Sequence, residues 1–131
     1  MEYEKIVIKP GEDISEVIGI RKEIFGYGED DLDEISISIL FKDKDSGEYI
    51  AYGRIALDME SDRLIVDHVG VRESYRYSGY GKEMLDELTE IAKKSEAGEL
   101  WAKSRGKEAA IAFLQKNGFE ELNYFWMTKD I

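Results

Sequence analysis

Residues 76–81 read Arg-Tyr-Ser-Gly-Tyr-Gly and stand between a run of β-formers and an amphipathic helix. A helix that begins near Gly79 has up to four backbone N–H groups without an intrahelical acceptor. Glycine at 79 and 81 removes the Cβ atoms that would hold a ligand away from those amides. Free amides at the positive end of a helix form an anion site suited to a phosphate or pyrophosphate, and Arg76 and Lys82 add positive charge beside it. A tight strand-to-helix turn would ask for the same glycines, so the loop by itself leaves both readings open. Two other phosphate loops are excluded. A Walker loop needs Ser or Thr after Gly-Lys, and here Glu83 follows Gly81-Lys82. The dinucleotide fingerprint needs three spaced glycines after the first strand of a parallel unit, whereas antiparallel strands precede this loop.

Composition narrows the chemistry further. The 131 residues suit one domain large enough to form its own core. There is no cysteine, hence no thiolate nucleophile, disulfide or cysteine-ligated zinc, and a single histidine, His68, leaves no histidine-rich metal cluster. A net charge of −11 opposes binding to nucleic acid or an anionic membrane, and no Lys/Arg block offsets it. It would steer a cationic partner favourably, although acidic surfaces also serve solubility alone. No apolar run approaches the roughly 20 residues of a membrane helix. The opening residues, MEYEKIVIKPGED, are acidic and alternating and do not read as a signal peptide. A soluble, cytoplasmic protein is expected.

The elements that must hold the loop follow from periodicity. YEKIVIK (3–9) alternates as a strand, and Ile14, Val17, Ile18, Ile24 and Phe25 share a helical face over about 12–26, closed by Gly26 and Gly28. EISISILFKD (34–43) alternates strictly, with Ile35, Ile37, Ile39 and Phe41 on one face. It turns through KDSG into EYIAYGRIALD (48–58), and MESD leads on to RLIVDHVGV (63–71), a more continuous apolar run typical of a central strand. The helix after the glycine loop carries Met84, Leu85, Leu88, Ile91 and Ala92. GELWAK (98–103) is a short strand, KEAAIAFLQKN (107–117) a helix stopped by Gly118, and FEELNYFWMTKDI a closing strand segment, single or split. The order β-α-β-β-β-α-β-α-β, hairpins first and crossovers later, predicts an α/β fold: a central, mostly antiparallel mixed sheet with helices on both faces.

Arg76-x-x-Gly79-x-Gly81, after VDHVGV and before KEMLDEL, resembles the acetyl-CoA-binding motif of the GNAT superfamily of N-acetyltransferases, which runs Gln/Arg-x-x-Gly-x-Gly/Ala. Downstream, EAAIAFLQKNGFEEL resembles that family's later helix and its lysine-x-glycine-phenylalanine ending, and the order of elements agrees. IRKEIFGYGEDDLDE (20–34) is similar to the first helix and following loop of small bacterial members. The resemblance spans essentially the whole chain. It implies one acetyltransferase domain over 1–131 that uses acetyl-CoA as co-substrate, with no metal, and acetylates a primary amine of a small molecule or protein by direct attack. A homodimer is compatible with it. The resemblance also implies that the backbone of Arg76, Tyr77, Ser78, Gly79, Tyr80, Gly81 and Lys82 holds the pyrophosphate. Val69, Gly70 and Val71 would then face the pantetheine arm and thioester, with Gly70 at a bulge whose amide polarises the carbonyl.

Two departures stand out. Where many family members carry a tyrosine that protonates the departing thiolate, this chain has Leu114. A thiol of pKa near ~8.5 leaves as thiolate at neutral pH at a cost of roughly 2 kcal/mol relative to protonation, and Tyr124 or Tyr75 could stand in. Where the histone-modifying branch carries a glutamate base, this chain has Ile65. An alkyl ammonium of pKa ~10 must lose a proton before it attacks, so the candidate bases are Asp67, through water, and His68. Strict alternation puts Asp67 on the face of Val69 and Val71 and turns His68 away unless a bulge re-aims it. Glu23 on the first helix, or an amine that enters neutral, is the remaining option. The alternatives to an enzyme are a regulatory module that binds acyl-CoA without catalysis, and an unrelated α/β nucleotide binder.

Overall fold

A computed structural model describes residues 2–58 and 60–131; Met59, the first residue of the expected MESD turn, lies outside them. The elements run β1 (Tyr3–Ile8), α1 (Ser15–Phe25), a 3-10 turn (Asp31–Ile35), β2 (Ser36–Asp43), β3 (Tyr49–Asp58), β4 (Arg63–Val71), a second 3-10 turn (Glu73–Tyr75), α2 (Tyr80–Lys94), β5 (Glu99–Lys103), α3 (Glu108–Lys116), β6 (Glu120–Glu121) and β7 (Trp126–Asp130). The order matches the expectation with the last strand split. The 3-10 turn over Asp31–Ile35, which holds Ile35 outside β2, is an element that alternation did not announce.

The strands form a single seven-stranded sheet in the order β1-β2-β3-β4-β5-β7-β6. Every neighbouring pair is antiparallel except β4 and β5. Alternation sorts the side chains onto two cores. On one face Met84, Leu85 and Leu88 of α2 and Leu114 of α3 pack on Ile39, Phe41, Ile55 and Val66. On the other, Val17 and Ile20 of α1 cover Ile8, Leu40 and Tyr52. Each of these large apolar side chains contributes roughly 1.5–3 kcal/mol through burial, enough in sum to fix which face of each strand looks inward. Among the described residues no helix is long and apolar enough to cross a membrane.

Two irregularities along β4 shape the site. The parallel pairing with β5 covers only Ile65↔Trp101 and Val66↔Ala102, so beyond Val66 the two strands splay apart. Against β3 the register passes from Arg54↔His68 to Ile55↔Val66 and leaves Asp67 as the extra residue of a bulge. The bulge is therefore at Asp67 and not at Gly70, which pairs regularly with Tyr52. The extra residue interrupts the alternation between Val66 and His68, so Val66, Val69 and Val71 pack toward α2 while His68 and Gly70 face α1.

Gly70 is glycine for a different reason, the close approach of α1. A Cβ at this position would stand 2.7 Å from Ile24 Cγ2 and 3.0 Å from Phe25 Cε2. Gly70→Ala should push α1 off β4 and destabilise the protein by about 1–3 kcal/mol. In urea the midpoint should fall with an unchanged slope; a midpoint equal to that of the unaltered protein would refute the contact.

Candidate active site

The loop over residues 76–81 is built as its glycines suggest. Gly79 caps α2 in the left-handed conformation, at φ 89°, and no side chain caps that end. Tyr77 is also left-handed, at φ 66°, and its side chain is fully exposed. The first N–H to close back along the helix is that of Glu83, onto the Gly79 carbonyl at 3.1 Å. The amides of Gly81 and Lys82 before it therefore have no intrahelical acceptor. They open onto a cavity of about 680 Å³ whose walls include Val69, Val71, Gly79, Gly81, Phe113 and Asn117. A Cβ on Gly81 would reach to 3.4 Å from the Phe113 ring and narrow the cradle.

Arg76, Tyr77, Tyr80 and Lys82 line the same cavity, whereas Ser78 and Gly70 do not. The Arg76 Nε donates to the Val71 carbonyl at 3.0 Å, which ties the loop to the end of β4. Lys82 is paired with Asp86 at 2.7 Å in an exposed i,i+4 contact. Tyr75 lines the cavity too, but its hydroxyl donates to Asp43 and Glu48.

Where β4 and β5 part, a second cavity of about 160 Å³ opens, bounded by Asp67, His68, Val69, Ser104, Phe113 and Leu114 among others. Val69 and Phe113 line both cavities, so the helix terminus and the splay adjoin across these two side chains. Tyr124 lines neither. It is largely exposed, and its ring lies over Gly106, where a Cβ would come within 2.3 Å of it. Glu23 lies outside the groove, paired with Arg72 at 2.6 Å.

Beneath the cleft lies a buried ionic network. The Arg54 guanidinium gives Nε and Nη2 to the two oxygens of Asp67, at 3.0 and 2.6 Å. It also donates to both oxygens of Asp30, at 2.7 and 3.0 Å, and to Asp33 at 3.1 Å. Arg21 binds both oxygens of Asp33, at 2.8 and 2.7 Å, and reaches the Gly28 carbonyl. Burial alone would raise the Asp33 carboxyl, but the Arg21 bonds and the Asp30 amide outweigh it and hold the group at about 2. Burial disfavours the charge on Arg54 as well, and the bonds to Asp67 and Asp30 more than offset that. With both oxygens on Arg54 and its side chain 1% exposed, Asp67 serves as the counter-ion of that arginine and not as a freely placed base.

His68 sits between two tyrosine hydroxyls. Its Nδ1 is 2.6 Å from Tyr52 Oη, its Nε2 contacts Tyr27 Oη, and the Phe25 ring stacks on it. Arg21 Nε donates to Tyr52 Oη at 3.0 Å. An arginine cannot accept, so the Tyr52 proton points at His68 Nδ1. The imidazole then carries its hydrogen on Nε2 and donates it to Tyr27, whose own hydroxyl proton is directed away from the histidine. Burial first, and then the charges of Arg54 and Arg21 against the opposing pull of Asp67, lowers the imidazole to about 4, so it is neutral at physiological pH.

The match to a family model settles where these parts belong: the acetyltransferase (GNAT) family matches residues 14–119. The chain belongs to the GNAT family. Its fold is similar to several solved structures. Escherichia coli ElaA aligns at a TM-score of 0.82 and 16% identity over 98% of this chain and 100% of that one. An IAA acetyltransferase from Bacillus cereus gives 0.76 and 14% over 98% and 100%. A GNAT family acetyltransferase from Elizabethkingia anophelis, solved with acetyl-CoA bound, gives 0.75 and 15% over 98% of each. None of the curated proteins matches the sequence. Membership makes this an enzyme of the acyl-transfer class, and Leu114, at the place where many GNAT enzymes carry tyrosine, is buried in the cleft wall.

Sequence reasoning missed Arg21, Tyr27, Asp30, Asp33, Tyr52 and Arg54. One signal was available: Arg54 interrupts the apolar run IAYGRIAL, where an unpaired charge would be prohibitive.

Two outcomes follow from the network. Between about pH 6.5 and 4 the unfolded chain takes up a proton at His68 that the folded protein refuses. Stability is therefore full above pH 6.5 and falls by a few kcal/mol toward pH 4. His68→Gln should flatten that segment of the stability–pH curve. The loss from about pH 3.8 toward 2, where the unfolded chain takes up a proton that the folded Asp33 refuses, should remain. Arg54→Met strands Asp67 without its counter-ion and should cost about 3–5 kcal/mol, most of it recovered when Asp67→Leu is added; a double variant as unstable as the single one would contradict the pairing.

Proposed function

We propose that this protein is a single-domain enzyme that transfers an acetyl group from acetyl-CoA to a primary amine by direct attack. The observation that carries the reading is the pair of adjoining cavities, with the open α2 terminus and its left-handed Gly79 in one and the β4–β5 splay in the other. The cradle fits the co-substrate: backbone amides for a pyrophosphate, a glycine where a side chain would obstruct, and an apolar stretch at Val69, Val71 and Phe113 for an extended arm. Acetyl-CoA supplies the activated acyl group as a thioester. The acetyl-CoA held by the Elizabethkingia protein supports this choice of ligand.

In the transfer the N–C bond forms as the C–S bond breaks, the amine's proton passes to water, and the thiolate is released. Asp67 is occupied by Arg54, and His68 is a weak base with Nδ1 already accepting from Tyr52. The cations that line the cleft, Lys103, Arg105 and Lys107, disfavour an ammonium there and admit the amine in its neutral form. The same charges ease departure of the thiolate without an acid at position 114. A module that binds acyl-CoA without turnover is the competing reading, favoured by the missing tyrosine.

Acetyl-CoA at 100 times its dissociation constant should add about 2.7 kcal/mol of stability. Gly79→Asp should abolish the thermal shift, with an added strain of roughly 1–2 kcal/mol from φ 89°. An undiminished shift would remove the loop from the site. With an amine present, release of free thiol separates the enzyme from the binding module. The rate should climb toward alkaline pH with the amine's own titration and show no limb near ~6.5. A limb there that vanishes in His68→Ala would return the base role to His68.

A further inference from the structure

We infer that the acceptor is a small amine bearing a carboxylate beside its amino group, as a free amino acid does. The inference rests on the acetyltransferase reading and names the substrate class for the same cleft. Lys103, Arg105 and Lys107 line the splay between β4 and β5. Among the described residues none of the three makes an ion pair, and Lys103 leans on the Trp126 ring with its ammonium 5.7 Å from the centroid. The acid in the same lining, Asp67, has both oxygens on Arg54. In a protein of net charge −11 the reaction cleft thus gathers three cations, over a buried network whose three aspartates exceed its two arginines by a single charge.

Of the three cations Arg105 supplies the planar fork, since a guanidinium matches the two oxygens of a carboxylate. An amine without a carboxylate offers these three cations no charge to bind. A zwitterion orients itself, carboxylate toward the cations and amino group away from them. A cleft of about 160 Å³ suits a small molecule better than a folded protein surface.

The test compares matched pairs: serine with ethanolamine, and phenylalanine with 2-phenylethylamine. Turnover is followed by release of thiol from acetyl-CoA, and binding by calorimetry with CoA present. For the better-fitting pair the amino acid should exceed its decarboxylated partner by about tenfold or more in both kcat/KM and affinity, the worth of one charge-assisted bond. Arg105→Gln, and separately Lys107→Gln, should shrink that ratio several-fold while CoA affinity is kept. Equal or better use of the decarboxylated amines overturns the inference and leaves the acetyltransferase reading intact. So does a loss of CoA affinity in Arg105→Gln with the ratio unchanged, which would assign the cations to CoA. If no amine releases thiol although acetyl-CoA binds, the enzymatic reading fails. The binding arm then still decides whether the cleft selects carboxylates.

Discussion

The guanidinium of Arg54, buried at the middle of the central β3 strand, is the constraint around which this molecule is arranged. A charge at 1% exposure cannot be carried without partners, and the chain provides three aspartates from two different elements. Asp67 comes from the neighbouring strand; Asp30 and Asp33 come from the segment between α1 and β2. That segment is short and would otherwise be a loose connection. The Asp30 carboxylate caps it by accepting from the Leu32 amide, while Asp33 accepts from the Asp30 amide, a reciprocal pair that makes a 3-10 turn of it. The same two carboxylates then face Arg54 and Arg21. Local turn chemistry and the demand of a buried charge are satisfied by the same oxygens. A buried ion network of this kind is weak evidence for stability compared with an apolar core. Its effect here is positional, because it fixes Gly28, Asp30 and Asp33 against the sheet.

The bulge at Asp67 is the sheet's side of the same arrangement. In an unbroken strand Asp67 and His68 would point to opposite faces. With one extra residue in β4, Asp67 meets Arg54 and His68 meets Tyr52, both of them side chains of β3. The bulge lies immediately beyond the last β4–β5 pair, Val66↔Ala102, so the strand bends where it loses its parallel partner. The cleft is what remains between two strands that no longer hydrogen bond. Charge satisfaction and cleft opening therefore share one residue.

Much of this could be read in advance, and the boundary is physical. Period-two and helical alternation placed β2, β3, β4 and α2 within a residue or two, because each buries a continuous face. The loop at 76–81 was legible because left-handed backbone and an open helix end both demand glycine at one spot. The register irregularity was not legible. It depends on which β3 residue opposes which β4 residue, Arg54 with His68 and Ile55 with Val66, and no local pattern reports that pairing. Strict alternation therefore put Asp67 with Val69, whereas the structure puts it with Arg54. Arg21 and Asp33 read as polar residues of an amphipathic helix and an acidic loop, since nothing local distinguishes a solvated charge from one whose partner arrives through tertiary packing.

Charge is distributed here in a way that separates the grip on an anion from the field that surrounds it. A surface of net charge −11 repels a polyanionic ligand at long range, but beyond about 8 Å that repulsion is screened at physiological ionic strength. At contact distance different groups act. Lys82 is paired with Asp86 in an exposed contact, and Arg76 gives its Nε to the Val71 carbonyl while its Nη groups remain for an anion, so the grip at the helix terminus combines main-chain amides with a guanidinium. In the adjoining cavity Lys103, Arg105 and Lys107 make no ion pair among the described residues, and the acid beside them, Asp67, is bound to Arg54. Oriented amide dipoles thus join the positive charge at the first site, whereas side-chain charge acts alone at the second, which lets each recognise its own part of a two-substrate reaction.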